Sequence, residues 1–150
     1  MNIRIRKAGI EDWPVIVKYN AAMALETEGK HLDSRILTNG VQAALKSREK
    51  GQYFLAAAKE KIVGQLMLTR EWSDWRNGFF WWIQSVYVHP EWRKQGIFRA
   101  LYEYVLKEAQ KQPDVCGLRL YVEKANLSAQ KTYERMGMQK TDYAFYEVEF

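Results

Sequence analysis

"VHPEWRKQGIFRAL", Val88–Leu101, joins two kinds of sequence. Before it, "GFFWWIQSVYV" runs from Gly78 to Val88 with almost no polar residue. Such a run reads as a strand buried on both faces, hence central in its sheet. After it, Ile97, Leu101, Tyr104, Val105 and Glu108 mark the inward stripe of a helix or its border, from about Gly96 to Lys111. Lys107 and Lys111 suit its C-terminal end, and Pro113 stops it. The junction therefore places Arg93, Lys94 and Gly96 where a strand hands over to a helix. The first amides of a helix have no internal partner, and the helix dipole adds partial positive charge there. That makes an anion site from backbone alone. Glycine lets the backbone approach a phosphate, and Arg93, Lys94 and Arg99 add whole charges at the rim. A solvated helix end has the same composition, so the junction by itself leaves both readings open. The pattern GxxxxGK[ST] is absent and only one glycine is present, which argues against a P-loop and a dinucleotide fingerprint.

Working outward, "NIRIRKA" alternates Ile3 and Ile5 with Arg4 and Arg6, a half-buried strand. Ile10, Trp13, Val17, Ala21 and Ala24 recur at helical spacing, with Glu11 and Asp12 in the first turn and Gly29 as the stop. A second helix is predicted from about Asp33 to Ser47, capped by Asp33 or Ser34 and weakened by Gly40. "QYFLAAAK" and "KIVGQLMLTR" read as strands joined by a tight hairpin at Lys59-Glu60-Lys61, and Asn77-Gly78 signals the next turn. "CGLRLYV" is another strand. "NLSAQKTYERMG" is a short helix with Asn126 as N-cap and Gly137 as its terminal glycine. In "TDYAFYEVEF" Ala144, Tyr146, Val148 and Phe150 alternate with Tyr143, Phe145, Glu147 and Glu149, which predicts a closing strand. The order β-α-α-β-β-β-α-β-α-β implies an α/β fold, a mixed sheet covered by helices.

A chain of 150 residues, 47% hydrophobic, suits one domain over residues 1–150 with a sizeable core. A formal charge of +5 suits an anionic ligand, or solubility alone. One cysteine, Cys116, rules out an intrachain disulfide and favours a reducing compartment; it reads as a small core residue. No apolar run is long enough to span a bilayer, and the N-terminus lacks a signal-peptide core, so a cytoplasmic protein without membrane attachment is expected. His31 and His89 show no metal-ligand spacing, no metal is expected, and His89-Pro90 reads as a turn. No Ser-His-Asp or Cys-His arrangement suggests a covalent intermediate.

"SVYVHPEWRKQGIFRALYEYVL" resembles the acyl-CoA-binding motif of the GNAT superfamily of N-acyltransferases, Arg/Gln-x-x-Gly-x-Gly/Ala between a central strand and a helix. Arg93, Lys94, Gln95, Gly96, Ile97 and Phe98 occupy it. "LRLYVEKANLSAQKTYERMGM" resembles the family's second signature: strand, Asn, then a helix carrying Ala and Tyr and ending in Gly. The pair spans about Ser85 to Met138 and is far more specific than either motif alone. The Trp-rich strand and "ALETEGK" are similar to a bacterial branch of the family. The resemblance implies a single-domain GNAT-like fold with a mixed, mostly antiparallel sheet. One position departs from the pattern: Phe98 stands where a second small residue is usual, and its ring is expected to turn away from the phosphates into the core.

The resemblance further implies acetyl-CoA as cosubstrate. Its pyrophosphate would sit on the amides from Gln95 to Arg99, and its pantetheine arm along Val86, Tyr87 and Val88, bonded to the backbone of Val86 and Val88. In this family a bulge often splays that strand from its parallel neighbour, and the arm fills the gap. An amine would attack the thioester directly. Tyr133 matches the family's general acid, with Asn126 seven residues before it orienting the ligand or capping the helix. For a general base the chain offers Glu28 first, then Glu26; the two together also suit a cationic substrate. Gln84 and Trp75 are further candidates for the acceptor pocket, among Trp72, Trp75, Trp81 and Trp82, of which Trp81 and Trp82 also suit core filling. The partner would be a small-molecule or peptide amine, and a homodimer is common in the family. Two other readings are a non-catalytic acyl-CoA sensor and a nucleic-acid-binding module. Against the latter, Lys and Arg are spread along the chain and most aromatics fall in apolar strands.

Overall fold

The computed structural model describes residues 2–150. Met1, the first residue of the expected domain, lies outside them. The chain forms a first compact unit ending at Leu120 and a second, Tyr121–Phe150. In the first, β1 (Ile3–Lys7) leads through one 3-10 turn, Ile10–Asp12, to α1 (Trp13–Glu28) and α2 (Ser34–Lys46). Strands β2 (Gln52–Ala58), β3 (Lys61–Ser73) and β4 (Gly78–Val88) follow, then α3 (Ile97–Gln110) and β5 (Val115–Arg119). The second unit holds α4 (Leu127–Arg135).

The sheet order is β1-β2-β3-β4-β5. Every neighbouring pair is antiparallel except β4 with β5, which is parallel. The mixed, mostly antiparallel sheet expected from the sequence is thus present, with β4 flanked on both sides. After Gln52, strand β2 carries only aromatic and apolar residues, because both its faces are covered. Tyr53 and Leu55 pack with Ile16, Val41 and Ala44 of α1 and α2. Between them Phe54 points the other way, its ring 5.7 Å from Tyr104 of α3. On that face α3 comes so close that a Cβ on Gly64 would stand 2.8 Å from Ile97.

Local signals set the helix ends. Asp33 caps α2 by accepting from the amides of Arg35 and Ile36, each at 2.9 Å. Gly29 ends α1 in the left-handed conformation, φ 63°. Arg6 donates two bonds of 2.8 Å to Asp12, whose carboxylate also accepts from the Gly9 amide at 2.7 Å. That arrangement fixes the turn between β1 and α1.

Two readings change. Thr141–Phe150 alternates like a strand, but a strand needs a hydrogen-bonding neighbour and the second unit supplies none within itself. Cys116, expected as a core residue, is exposed in the first unit, because β5 is that unit's edge strand.

Candidate active site

The turn from β4 to α3 begins with His89, whose Nδ1 accepts from the Glu91 amide at 3.2 Å. A single 3-10 turn, Pro90–Trp92, follows. Then Lys94 and Gly96 both take positive φ, 61° and 79°. Alternation in and out of the left-handed region turns successive amides toward one side. Gly96 is the N-cap of α3 and offers no side chain to cap it. The N–H groups of Lys94, Gln95, Gly96, Ile97 and Arg99 meet no acceptor among the described residues. These donors, at the positive end of a 14-residue helix, form a cradle for an anion. Ile97 enters the core with 2% exposure. Phe98 is half-buried in the first unit, its ring 6.3 Å from Tyr102 one turn along α3. The residue that fills the core is therefore Ile97. Helical geometry sends Phe98 along the helix flank.

The strand feeding this turn is open along one side. β5 pairs only with Phe79–Trp82. From Ile83 to Val88 the edge of β4 away from β3 has no strand beside it in the first unit. On the other edge Gln65 pairs with Tyr87, and Met67 with Gln84. Leu66 therefore faces two residues, Ser85 and Val86, which makes a β-bulge. Ser85 carries it in the left-handed region, φ 51°.

A cavity of about 460 Å³ lies beside this stretch, lined by Met23, Glu26, Thr27, Val86, Tyr87, Val88 and Arg93. Its volume suits a small-molecule ligand. One cluster of contacts ties its wall to the turn before α3. Arg93 Nη2 lies 2.8 Å from Glu26 Oε2, and Arg93 Nε donates to the Val88 carbonyl at 2.9 Å. The guanidinium sits over the Tyr87 ring, 5.3 Å from its centroid, and Tyr87 OH donates to Glu26 Oε1 at 3.2 Å. Burial raises the Tyr87 pKa and Glu26 raises it further, while Arg93 opposes them. Two of the five guanidinium N–H groups are engaged this way, which leaves three for a phosphate.

In the second unit Asn126 caps α4 by accepting from the Ala129 amide at 3.1 Å. Tyr133 is half-buried one face along, and burial raises its phenol pKa. It therefore keeps its proton at neutral pH.

A family model described as "Acetyltransferase (GNAT) family" matches residues 17–138. The chain belongs to the GNAT acetyltransferase family. It is similar to a solved structure of a possible acetyltransferase from Clostridium difficile 630, at 48% identity and a TM-score of 0.92, covering 100% of this chain and 99% of that one. A predicted acetyltransferase with acetyl-CoA from Clostridium acetobutylicum matches at 19% identity and a TM-score of 0.79, covering 99% and 96%. The ribosomal-protein-alanine N-acetyltransferase from Brucella melitensis biovar Abortus 2308 matches at 17% and 0.80, covering 99% of each chain. At those identities the last two show the shared fold alone. No curated protein matches the sequence.

In this acyltransferase Val86, Tyr87, Val88, Arg93 and Glu26, all named from the sequence, line one cavity. The structure separates others. Glu28, the first choice of base, lies outside the cavity lining and stands 3.7 Å from Lys30 at the exposed end of α1. Glu26 sits two residues earlier, on the face that meets β4. It is already paired with Arg93, so it does not offer a free charge to a cationic substrate. Trp75 is 86% exposed at the tip of the β3–β4 hairpin. Strand β4 has 11 residues. At about 3.3 Å per residue its two ends lie roughly 30 Å apart, so the tip is remote from the cavity within the first unit. Trp81 is core, and Gln84 donates to Thr69 Oγ1 across the β3–β4 pair. Met23 and Thr27 line the cavity unpredicted. With Glu26 they share one helical face at spacings of three and four, a signal visible in the sequence once Glu26 is placed. No helix is long and apolar enough to cross a membrane, and no group of three potential metal ligands occurs among the described residues.

Proposed function

We propose that residues 1–150 form one N-acetyltransferase domain that moves an acetyl group from acetyl-CoA to a primary amine. The unpartnered amides of Lys94, Gln95, Gly96, Ile97 and Arg99, opening beside a cavity along a strand edge unpaired in the first unit, carry this reading. The amides of Gln95–Arg99 receive the pyrophosphate, with Arg93 and Lys94 at its rim. The backbone of Val86 and Val88 holds the pantetheine arm. An amide at the bulge polarises the thioester carbonyl, as an oxyanion donor does. The neutral amine attacks the carbonyl carbon, a C–N bond forms and the C–S bond breaks. The amine's surplus proton leaves to solvent, and Tyr133 donates one to the departing thiolate. Asn126 holds α4 in place through its cap.

The amine is a small molecule or a peptide group. In excess acetyl-CoA the protein melts at higher temperature, and a panel of polyamines, amino acids, aminoglycosides and lysine peptides releases thiol with at least one class. No thermal shift removes the cofactor assignment. A shift without thiol release from any amine leaves a sensor instead.

A further inference from the structure

The β4 bulge is held from inside the core. Ser85 adopts φ 51° without being glycine. For such a residue the left-handed region is strained. Its carbonyl accepts a bond of 3.0 Å from Gln65 Nε2, and the same amide donates to Asn20 Oδ1 at 2.8 Å. Asn20 Nδ2 in turn donates to Tyr53 OH at 3.2 Å. Gln65 is 0% exposed, and Asn20 and Tyr53 are buried with it. One polar chain thus links α1, β2, β3 and the bulge.

This chain is expensive. Gln65 Oε1 has no hydrogen-bond partner among the described residues. A buried polar atom left unpaired is costly, and a methionine of similar length would fill the space without that cost. A position that keeps a polar side chain at the expense of stability serves something other than packing. What Gln65 grips is the carbonyl next to Val86, and Val86 lines the cavity.

We propose that Gln65 is a positioning residue for acyl transfer: by holding the Ser85 carbonyl it fixes the bulge that presents the Val86 backbone to the thioester. This rests on the reading of the cavity as the acyl-CoA site. Gln65 touches no reactant; it acts through Ser85. An oxyanion donor misplaced by a fraction of its bond length loses much of its effect on the transition state and little of its effect on cofactor binding.

The test compares Gln65→Met with Asn20→Ala. The second removes the other acceptor of the same amide and leaves the Gln65–Ser85 bond. Both variants melt earlier. Gln65→Met lowers the single-turnover rate about 10-fold or more at saturating acetyl-CoA, with the acetyl-CoA KM within about 2-fold of native. It also speeds amide hydrogen exchange at residues 85–87 by about 10-fold. Asn20→Ala keeps rate and exchange within about 2-fold of native. A native rate in Gln65→Met, or an equal rate loss in Asn20→Ala, overturns the proposal. Should Gln65→Met melt below the assay temperature, the double variant Gln65→Met/Ser85→Gly, free of the strain at positive φ, carries the same comparison. If the native protein shows no acetyl-CoA binding, the acyl-CoA reading has failed, and this proposal falls with it. Exchange at 85–87 then reads the grip on the bulge separately.

Discussion

Gly96→Ala separates what the turn before α3 costs the backbone from what it does for a ligand. Gly96 has φ 79°, and a Cβ built there meets nothing within 4 Å. The substitution therefore carries no clash, only the price of an L-residue in the left-handed region, about 1–2 kcal/mol. Gly29 provides the control: φ 63°, nothing within 4 Å, and a place at the end of α1 outside the cavity lining. In a domain of this size 1 kcal/mol shifts the melting temperature by about 2–4 °C, so both variants lose roughly 2–8 °C without ligand. Acetyl-CoA at about 100 times its dissociation constant adds about 2.7 kcal/mol, a rise of about 5–10 °C for the native protein and for Gly29→Ala. In Gly96→Ala the methyl group stands in the open cradle and the amides must reorient. A 100-fold loss of affinity at that concentration leaves about 0.4 kcal/mol, a shift near 1 °C. Differential scanning fluorimetry with and without acetyl-CoA measures all six melting points. A full acetyl-CoA shift in Gly96→Ala would refute the cradle. A large gap between the two ligand-free variants would refute the conformational argument.

Tyr133→Phe binds acetyl-CoA like the native enzyme and loses about 10²–10⁴ in the chemical step, measured by single turnover. Because burial raises the Tyr133 pKa, the protonated acid persists through neutral pH, and the alkaline limb it imposes on kcat lies above the usual phenol value near 10. That limb is absent in Tyr133→Phe. Arg93→Ala weakens acetyl-CoA by about 10-fold. Breaking its half-exposed pair with Glu26 costs under about 1 kcal/mol of stability, less at high salt. Asp12 has its pKa lowered, first by the Arg6 hydrogen bonds. A lowered folded pKa gives stability that is present above the unfolded value near 4 and is lost as pH falls through the folded one. Asp12→Asn therefore removes this part of the acid sensitivity, seen as a flatter melting-temperature curve from pH 5 to about pH 2.

Much of this was legible because it is local. The left-handed stop at Gly29, the Asp33 and Asn126 caps, the apolar run of β4 and the basic turn before α3 depend on residues within a few positions of one another. Two motifs about thirty residues apart suffice to suggest the family, since each reports a backbone shape as well as a side chain.

The rest depends on register and on how helices dock. The contact between Glu26 and Arg93 spans 67 positions, and only the packing of α1 against β4 decides that Glu26, rather than Glu28, reaches the cavity. The bulge at Ser85 has no glycine to announce it. It exists because β3 and β4 slip by one residue and because a buried glutamine from β3 takes up the carbonyl. Trp75 shows the reverse case, a residue whose chemistry suits a pocket but whose hairpin carries it to a tip. The sequence by itself determined the strand, the turn and the run of free amides at Gly96, since those follow from backbone conformation over a few residues. Only the tertiary structure decided which side chains surround them, because that is set by long-range packing.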